Sequence, residues 1–227
     1  LCVQVKSKKL TQTTKQGSYQ TLLKDFKGAV QDAYNQGLVC RKKILDKQAK
    51  FYDSDGNDFK LPSGIDEVYI MGITSENFPA LTHQSNILLE KEKNDPNALF
   101  MSFFDLEVVA HYLNNPYEFL YYIRQRISFS EQIIAENELH FLSYHLQKKL
   151  ALDNGVTLFH VDASFGGAID RDYIPFKKGL AVSDKNNIIK HRWKSLEFEE
   201  LCKCITQINV PFVTDIIFNL YDWDNKT

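Results

Sequence analysis

The first fifty residues contain two different periodicities of apolar side chains. Residues 3–6, Val-Gln-Val-Lys, alternate, which predicts a short strand with the valines on one face and Gln4 and Lys6 on the other. A loop rich in Thr, Gln and Lys follows, and Ser18 is a suitable N-cap for a helix that extends to about residue 49. Spacings of three and four residues predict the core-facing side of this helix, namely Leu22, Phe26, Ala29, Val30, Ala33, Gly37 and Cys40.

The next segment returns to β structure. Residues 48–61 predict a hairpin whose turn is the acidic stretch 53–58. Residues 65–74 predict a strand whose second half is apolar on both faces, which is typical of an interior strand covered by helices. Residues 75–98, rich in Asn, Ser, Glu and Pro, predict a connecting region and a domain boundary.

From Phe100 onwards the apolar spacing becomes helical. Ser102 and Asp105 resemble a capping box for a first helix, Pro116 suits the first turn of a second, and a third is predicted at about residues 136–150. In the second helix, the inward positions are predicted to be Phe119, Leu120, Ile123 and Ile127, with Tyr122, Arg124 and Arg126 around them.

The last third of the chain alternates between short strands and helices. Residues 157–161 predict a strand and Gly166–Gly167 a turn. Helices are predicted from Ser195 and from Pro211. The first of these two helices is predicted to direct four residues inward, namely Leu201, Cys204, Ile205 and Ile208.

The order of strand, long helix and strand predicts an α/β protein with helices on a sheet. We expect two domains: an α/β core of residues 1–98, and a mainly helical accessory region of residues 99–227 that contains a few strands. The hydrophobic content of 44% and the charged content of 25% are ordinary for a globular protein. No apolar run is long enough to span a bilayer, so no membrane partner is expected.

The cysteines indicate the cellular location, and the distribution of charge indicates the class of partner. The four cysteines do not form a disulfide framework, which favours a cytoplasmic location. Residues 1–50 contain 11 Lys and Arg against three Asp, a charge of +8, whereas the remaining residues carry −10. This asymmetry indicates an anionic partner for the first segment. A solvated, lysine-rich helix face is the alternative.

The residues of the first strand carry a resemblance to a known family. Val3-Gln4-Val5-Lys6 resembles the second half of the active-site motif of the PD-(D/E)xK nuclease superfamily, in its Mrr-like form with Gln in place of the acidic residue. The following Lys-Lys-Leu-Thr loop and the Ala-Tyr-Asn-Gln sequence at 33–36 are similar to bacterial proteins with such a nuclease core. Segments 102–107, 115–116 and 122–126 resemble the helical region that follows the core in those proteins.

The resemblance implies a fold, an activity and a site. The fold would be a restriction-endonuclease-like mixed sheet flanked by helices, and the activity a Mg²⁺-dependent endonuclease cleavage of DNA phosphodiesters. Gln4 would be catalytic and would supply an amide oxygen to the metal, and Lys6 would orient water or stabilise transition-state charge. The residues expected to contact nucleic acid are Lys8, Lys9, Lys15, Gln31, Tyr34 and Gln36.

One departure from the family matters. The family places an acidic metal ligand on the strand before this motif, and this chain begins at the motif, with Asp25 as its first acidic residue. We therefore expect an internal fragment that is inactive alone. Two other functions stay open: a non-catalytic nucleic-acid-binding module derived from a nuclease, and a protein-interaction module that uses the tyrosine-rich residues 100–150.

Overall fold

The computed structural model describes residues 1–47, 50–62, 64–76, 82, 85–180, 194–208 and 212–223. The chain divides into two compact units, residues 1–104 and residues 105–227. The sequence predicts this boundary after residue 98. The difference arises at the last strand of the sheet, which the prediction separates from the core and which the structure includes in unit 1.

Unit 1 alternates strands and helices. Its elements, in chain order, are β1 (Cys2–Lys6), α1 (Gln12–Lys15), α2 (Tyr19–Phe26), a π-helical turn (Lys27–Gln31), α3 (Asp32–Leu45), β2 (Phe51–Tyr52), β3 (Asp58–Phe59), β4 (Ile70–Thr74), α4 (Ser85–Leu88) and β5 (Ala98–Ser102). Helix α5 (Phe103–Tyr112) then leads into unit 2.

The sheet of unit 1 is small and entirely parallel. Its order is β1-β4-β5, with Gln4 opposite Gly72 and Lys6 opposite Thr74. Every residue of the central strand β4 is buried, which confirms the predicted interior strand. The resemblance implies a mixed sheet. For the described residues this is wrong, because β1, β4 and β5 are parallel and the antiparallel strands β2 and β3 pair only with each other.

The predicted long helix is confirmed. Helices α2 and α3 and the π-helical turn between them run without a break from Tyr19 to Leu45. All seven predicted core-facing positions are buried or half-buried. A Cβ at Gly37 would lie 2.5 Å from Cγ2 of Ile70, so this glycine allows α3 to approach β4 closely. The core of unit 1 therefore lies between this helix and the sheet.

Strand β5 is the element of unit 1 that the sequence misses. The segment Ala98–Ser102 is predicted as the end of a linker and the start of a helix, and the structure makes it a fully buried strand parallel to β4. A short apolar run has no period that separates a buried strand from a buried helix. Its neighbour β4 supplies the hydrogen bonds that decide the outcome.

Unit 2 is mainly helical. After α5 it contains α6 (Pro116–Ser128), β6 (Ile133–Ile134), α7 (Glu138–Lys148), β7 (Phe159–His160), a 3₁₀ turn (Ala163–Phe165), α8 (Gly167–Lys177), α9 (Leu196–Gln207) and α10 (Val213–Trp223). The helices predicted near 103, 116, 136 and 195 are confirmed. The predicted turn at Gly166–Gly167 is confirmed at Gly166 only, because Gly167 begins α8. Pro211, where the last helix is predicted to begin, lies outside the described residues.

Several side chains of unit 2 face the opposite way from the prediction. Leu201, Cys204 and Ile208 are exposed, and in α9 the buried residue is Cys202. Arg126, which is not among the predicted inward positions of α6, is only 3% exposed.

The tyrosines of α6 bear on the hypothesis of an interaction surface. Tyr121 and Tyr122 are fully buried, so they contribute to the core and not to a working surface. None of the helices in the described part of the chain is long and apolar enough to cross a membrane.

Candidate functional site

The lysines predicted for the site lie at the carboxyl edge of the parallel sheet or in the segment that follows β1. Strand β1 ends at Lys6, strand β4 ends at Thr74, and the two loops that follow meet there. The backbone N–H of Ser75 donates to the carbonyl of Lys6 at 3.1 Å. Ligands of open α/β sheets bind outside the carboxyl ends of the strands. We therefore expect a ligand of unit 1 to bind at this edge.

Strand β1 turns its polar residues towards α3. Val3 and Val5 are exposed, at 45% and 73%, whereas Gln4 and Lys6 are half-buried. The Cys2 Sγ lies 3.3 Å from the Cys40 Sγ on α3. The sequence correctly places Gln4 and Lys6 on one face, and the structure shows that this face carries the helix.

Lys6 is held at the edge by a partner on α3. Its Nζ donates to Oε1 of Gln36 at 2.8 Å. Two residues predicted for different roles, one catalytic and one nucleic-acid-binding, are thus in contact. Because an amide carries no net charge, Gln36 directs the ammonium without neutralising it, and Lys6 keeps its positive charge at the end of the strand.

The loop after β1 is attached to a buried carboxylate, Asp25, which is 1% exposed. The Asp25 carboxylate accepts hydrogen bonds from the Thr11 backbone N–H at 2.8 Å, from Oγ1 of Thr11 at 3.0 Å and from Oγ1 of Thr14 at 2.7 Å. The Nζ of Lys8 lies 3.4 Å from its other oxygen. A Cβ at Gly28 would meet the Lys8 side chain within 3.1–3.3 Å, so Lys8 lies across this glycine.

These donors keep Asp25 ionised. Burial by itself raises the pKa of this carboxyl, but the hydrogen bonds from Thr11 and Thr14 and the Lys8 ammonium outweigh it and hold the pKa at about 2. Lys8 is therefore largely neutralised by a carboxylate. Its role is to position the loop, and it contributes less to a ligand-binding charge than its sequence position predicts.

A second acidic residue, Glu76, connects the β1 loop to the end of β4. One Glu76 oxygen accepts from the Leu10 backbone N–H at 3.1 Å, and the other lies 3.7 Å from the Nζ of Lys15. The Oγ1 of Thr74 donates to the Glu76 carbonyl at 2.8 Å. The Lys15 side chain remains 49% exposed. Lys9, between these anchors, is exposed and forms no ion pair with a residue that the structure describes.

Two predicted contacts with nucleic acid need correction. Gln31 is buried, where its amide donates to the Glu90 carbonyl and accepts from the Glu90 N–H, both at 2.8 Å. Tyr34 is fully buried and its hydroxyl donates to the Pro96 carbonyl at 2.8 Å. Both side chains hold the segment before β5, and neither reaches a surface where nucleic acid could bind.

Asp25 and Glu76 are the site residues that the sequence misses as parts of this edge. A signal for Asp25 is present, since it stands next to Phe26 within the apolar stripe, and a buried carboxylate requires donors. The donors are the threonines at 11 and 14, whose three-residue spacing is also a capping pattern. Glu76 has no comparable signal, because it lies in a polar linker.

The residues around Gln4 do not fit a Mg²⁺ site. Mg²⁺ prefers carboxylate oxygens, and both acidic residues at this edge already accept hydrogen bonds and ion pairs. Across the ranges that the structure describes, no group of three or more His, Cys, Asp or Glu residues could hold a metal ion.

Comparison of the chain with protein-family models, with curated proteins and with solved structures gave no match.

Proposed function

We propose that unit 1 is a nucleic-acid-binding module that contacts the phosphate backbone of duplex DNA at the carboxyl edge of its sheet. Lys6, Lys9 and Lys15 supply the ammonium groups, and Lys8 positions the loop that carries them. The observation that supports this most strongly is the anchoring of the β1 loop on buried Asp25, beside lysines whose charge faces solvent.

Anchoring favours binding for an energetic reason. A ligand that orders a free loop loses affinity, because the conformational entropy of that loop decreases on binding. Here Thr11 is already hydrogen-bonded to Asp25 and Leu10 to Glu76, so the loop needs little further ordering when a ligand binds. Lysines also bind phosphate as point charges, which suits backbone contacts that position a protein without reading sequence.

The test is a titration of labelled duplex DNA at two salt concentrations. Affinity should fall steeply between about 50 and about 200 mM salt, because each phosphate contact releases counterions. Lys9→Glu should weaken binding and reduce the salt slope by about one or more. The matched control is Lys203→Glu, an exposed lysine of α9 in unit 2, which should bind like the wild type.

Absent binding at low salt, binding that salt does not change, or equal affinities for Lys9→Glu and Lys203→Glu would contradict the proposal. Circular dichroism of each variant separates lost binding from lost structure.

Hydrolysis of DNA is the second candidate, in a restriction-endonuclease-like setting. The observation that favours it is that Gln4 and Lys6 share one face of β1, with Lys6 oriented by Gln36. A Mg²⁺ requirement stays a prediction, which a cleavage assay with and without Mg²⁺ tests. If the protein cleaves DNA, Lys6→Ala should lower the rate by about 10² or more, the scale for losing one group that stabilises the transition state, and keep most of the DNA affinity. Equal rates for Lys6→Ala and the wild type would remove Lys6 from catalysis.

A further inference from the structure

A cavity of about 410 Å³ lies at the far end of α3, where the β2–β3 hairpin folds against the helix. Its apolar wall includes Phe51 and Phe59, which are cross-strand partners, together with Leu61 and Ile65. This volume lies within the range of small-molecule sites in proteins, about 300 to 1,000 Å³. The cavity can therefore hold a group of about the size of one nucleotide.

The hairpin wall is preformed. One oxygen of Asp53 accepts from the backbone N–H groups of Asp55 and Asn57, each at 2.9 Å, and the other accepts from the Asn57 side chain at 3.1 Å. These bonds fix the turn that pairs Phe51 with Phe59. Phe59 is nevertheless 55% exposed, which leaves a ring face open to a ligand.

The rim of the cavity is strongly basic. Among the described residues that line it, Lys43, Lys47, Lys50 and Lys60 are exposed lysines, and Asp58 is the one acidic residue. Within the part of the chain that the structure describes, none of these lysines forms an ion pair. An open aromatic wall under uncompensated ammonium groups complements a ligand with a flat apolar body and negative charge.

This cavity is separate from the carboxyl edge. Lys6, at the end of β1, contacts Gln36, whereas Cys2, at its start, contacts Cys40, so α3 runs antiparallel to β1. Residues 43–47, at the end of α3 and just after it, therefore lie beyond the amino end of that strand. Neither Lys6 nor Lys9 lines the cavity.

We propose that this cavity binds an unpaired nucleotide of single-stranded nucleic acid. The base stacks on the Phe59 and Phe51 side of the hairpin, and the lysines of the rim contact the flanking phosphates. Proteins that bind single strands combine aromatic platforms with a basic surface in this way. A duplex hides its base faces in the helical stack, so it does not offer the group that the aromatic wall complements. The inference goes beyond the duplex backbone binding proposed for the carboxyl edge.

The test measures the anisotropy of a labelled oligothymidylate of about 12 nucleotides with the whole chain. Phe59→Leu keeps an apolar side chain in the wall but removes the ring, and it should weaken binding by about 5- to 150-fold, the scale for losing one stacked base. Tyr52→Ala is the matched control, because Tyr52 is an equally exposed aromatic of the same hairpin that does not line the cavity. It should leave the affinity unchanged.

A charge series tests the rim. Lys43→Glu with Lys60→Glu should weaken binding and its salt dependence, whereas Lys42→Glu, exposed on α3 but outside the cavity, should have a smaller effect. An abasic oligomer with the same number of phosphates should bind the wild type as weakly as oligothymidylate binds Phe59→Leu.

Several outcomes would overturn the proposal. The first is an equal affinity of Phe59→Leu and Tyr52→Ala for oligothymidylate. The second is equal binding of the abasic and thymidine strands by the wild type. The third is that polyglutamate displaces the strand while Phe59→Leu has no effect on binding. Thymidine monophosphate is tested as a further competitor. If it binds as tightly per nucleotide as oligothymidylate does, the ligand of the cavity is a free nucleotide and not a strand. Phe59→Leu should leave duplex affinity unchanged and Lys9→Glu should lower it, so the two proposals fail separately.

Discussion

Asp25 in unit 1 and Glu138 in unit 2 are both carboxylates with an exposure of 1% or less, and they are neutralised in different ways. In unit 1, Asp25 accepts from two threonines of a loop, and its cation, Lys8, is 35% exposed. In unit 2, Glu138 is fully buried and accepts from Nε and Nη2 of Arg126 at 3.0 and 2.8 Å. The Tyr122 hydroxyl also donates to Glu138.

The surroundings of the two groups differ as much as their partners. The guanidinium of Arg126 lies 3.4 Å from the ring centroid of Phe141, so this charge is enclosed by apolar and aromatic groups. Burial and the Glu138 charge raise the pKa of Tyr122, so its hydroxyl stays protonated and continues to donate. Asp25, by contrast, lies under the loop that follows β1, and several residues of this loop are exposed to solvent.

The comparison shows what a buried carboxylate does in each unit. Glu138 and Arg126 cancel each other and join α6 to the first turn of α7, which leaves no charge for a ligand. Asp25 is satisfied mainly by neutral donors, so it fixes the loop and leaves Lys6 and Lys9 charged at the edge. The first arrangement stabilises packing, and the second positions a surface.

The largest expected effect comes from breaking the enclosed pair. Arg126→Met leaves Glu138 buried without its cation, so the free energy of unfolding should fall by about 3 to 5 kcal/mol. Urea denaturation followed by circular dichroism measures it. Changing Arg126→Met, Glu138→Leu and Tyr122→Phe together should recover most of the loss, because no unpaired polar group then remains. A loss below about 1 kcal/mol for Arg126→Met would contradict an enclosed pair.

The carboxylate of unit 1 should be less sensitive. Asp25→Asn replaces a charged acceptor by an amide that cannot accept as many hydrogen bonds, which should cost about 1 to 3 kcal/mol. Since the folded pKa of about 2 lies below the ordinary value, the wild-type carboxylate stabilises the fold above about pH 4 and loses this contribution as the pH falls to about 2. In Asp25→Asn that part of the acid dependence should be absent. An identical acid profile for both proteins would show that Asp25 is not held ionised.

Unit 2 should have a pH signature of its own, at higher pH. Burial, with Lys194 and Lys149 nearby, lowers the pKa of His145 to about 3, so the folded state keeps this ring neutral. Below about pH 6.5 the unfolded chain takes up the proton first, and stability should fall by about 1.4 kcal/mol for each pH unit until the pH approaches about 3.

The variant that isolates this effect is His145→Phe, which keeps an aromatic ring beside Tyr121 and Tyr122. Its stability should change less between about pH 6 and about pH 5 than that of the wild type. His160→Gln, at an exposed histidine, is the control and should keep the wild-type slope. Equal slopes for all three proteins would mean that His145 titrates normally in the fold.

Removing the cation beside Asp25 should have the smallest effect on stability. Lys8→Met removes the cation of Asp25, just as Arg126→Met removes the cation of Glu138, but the three hydrogen bonds from Thr11 and Thr14 remain. Because Lys8 is partly exposed, the loss should be only about 0 to 1 kcal/mol, measured in the same urea titration. A loss as large as that of Arg126→Met would show that Lys8, and not the threonines, stabilises the buried carboxylate.

Much of unit 1 could be predicted from local patterns. Alternation over residues 3–6 predicts β1, the three- and four-residue spacing predicts the helix of residues 19–45, and the acidic turn predicts the hairpin. These features depend on neighbours in the sequence, because the period of a helix or strand decides which side chains share a face. The common face of Gln4 and Lys6 follows from the same rule.

What covers each face depends on segments that are distant in the sequence. The sequence indicates that Gln31 and Tyr34 lie on the long helix, but their burial follows from bonds to Glu90 and Pro96, about sixty residues away. The fates of Asp25 and Arg126 likewise depend on donors and acceptors from other elements. The sequence does not show whether a charged residue is solvated or enclosed. The free energy of burying the charge depends on partners that only the folded chain brings within hydrogen-bond distance.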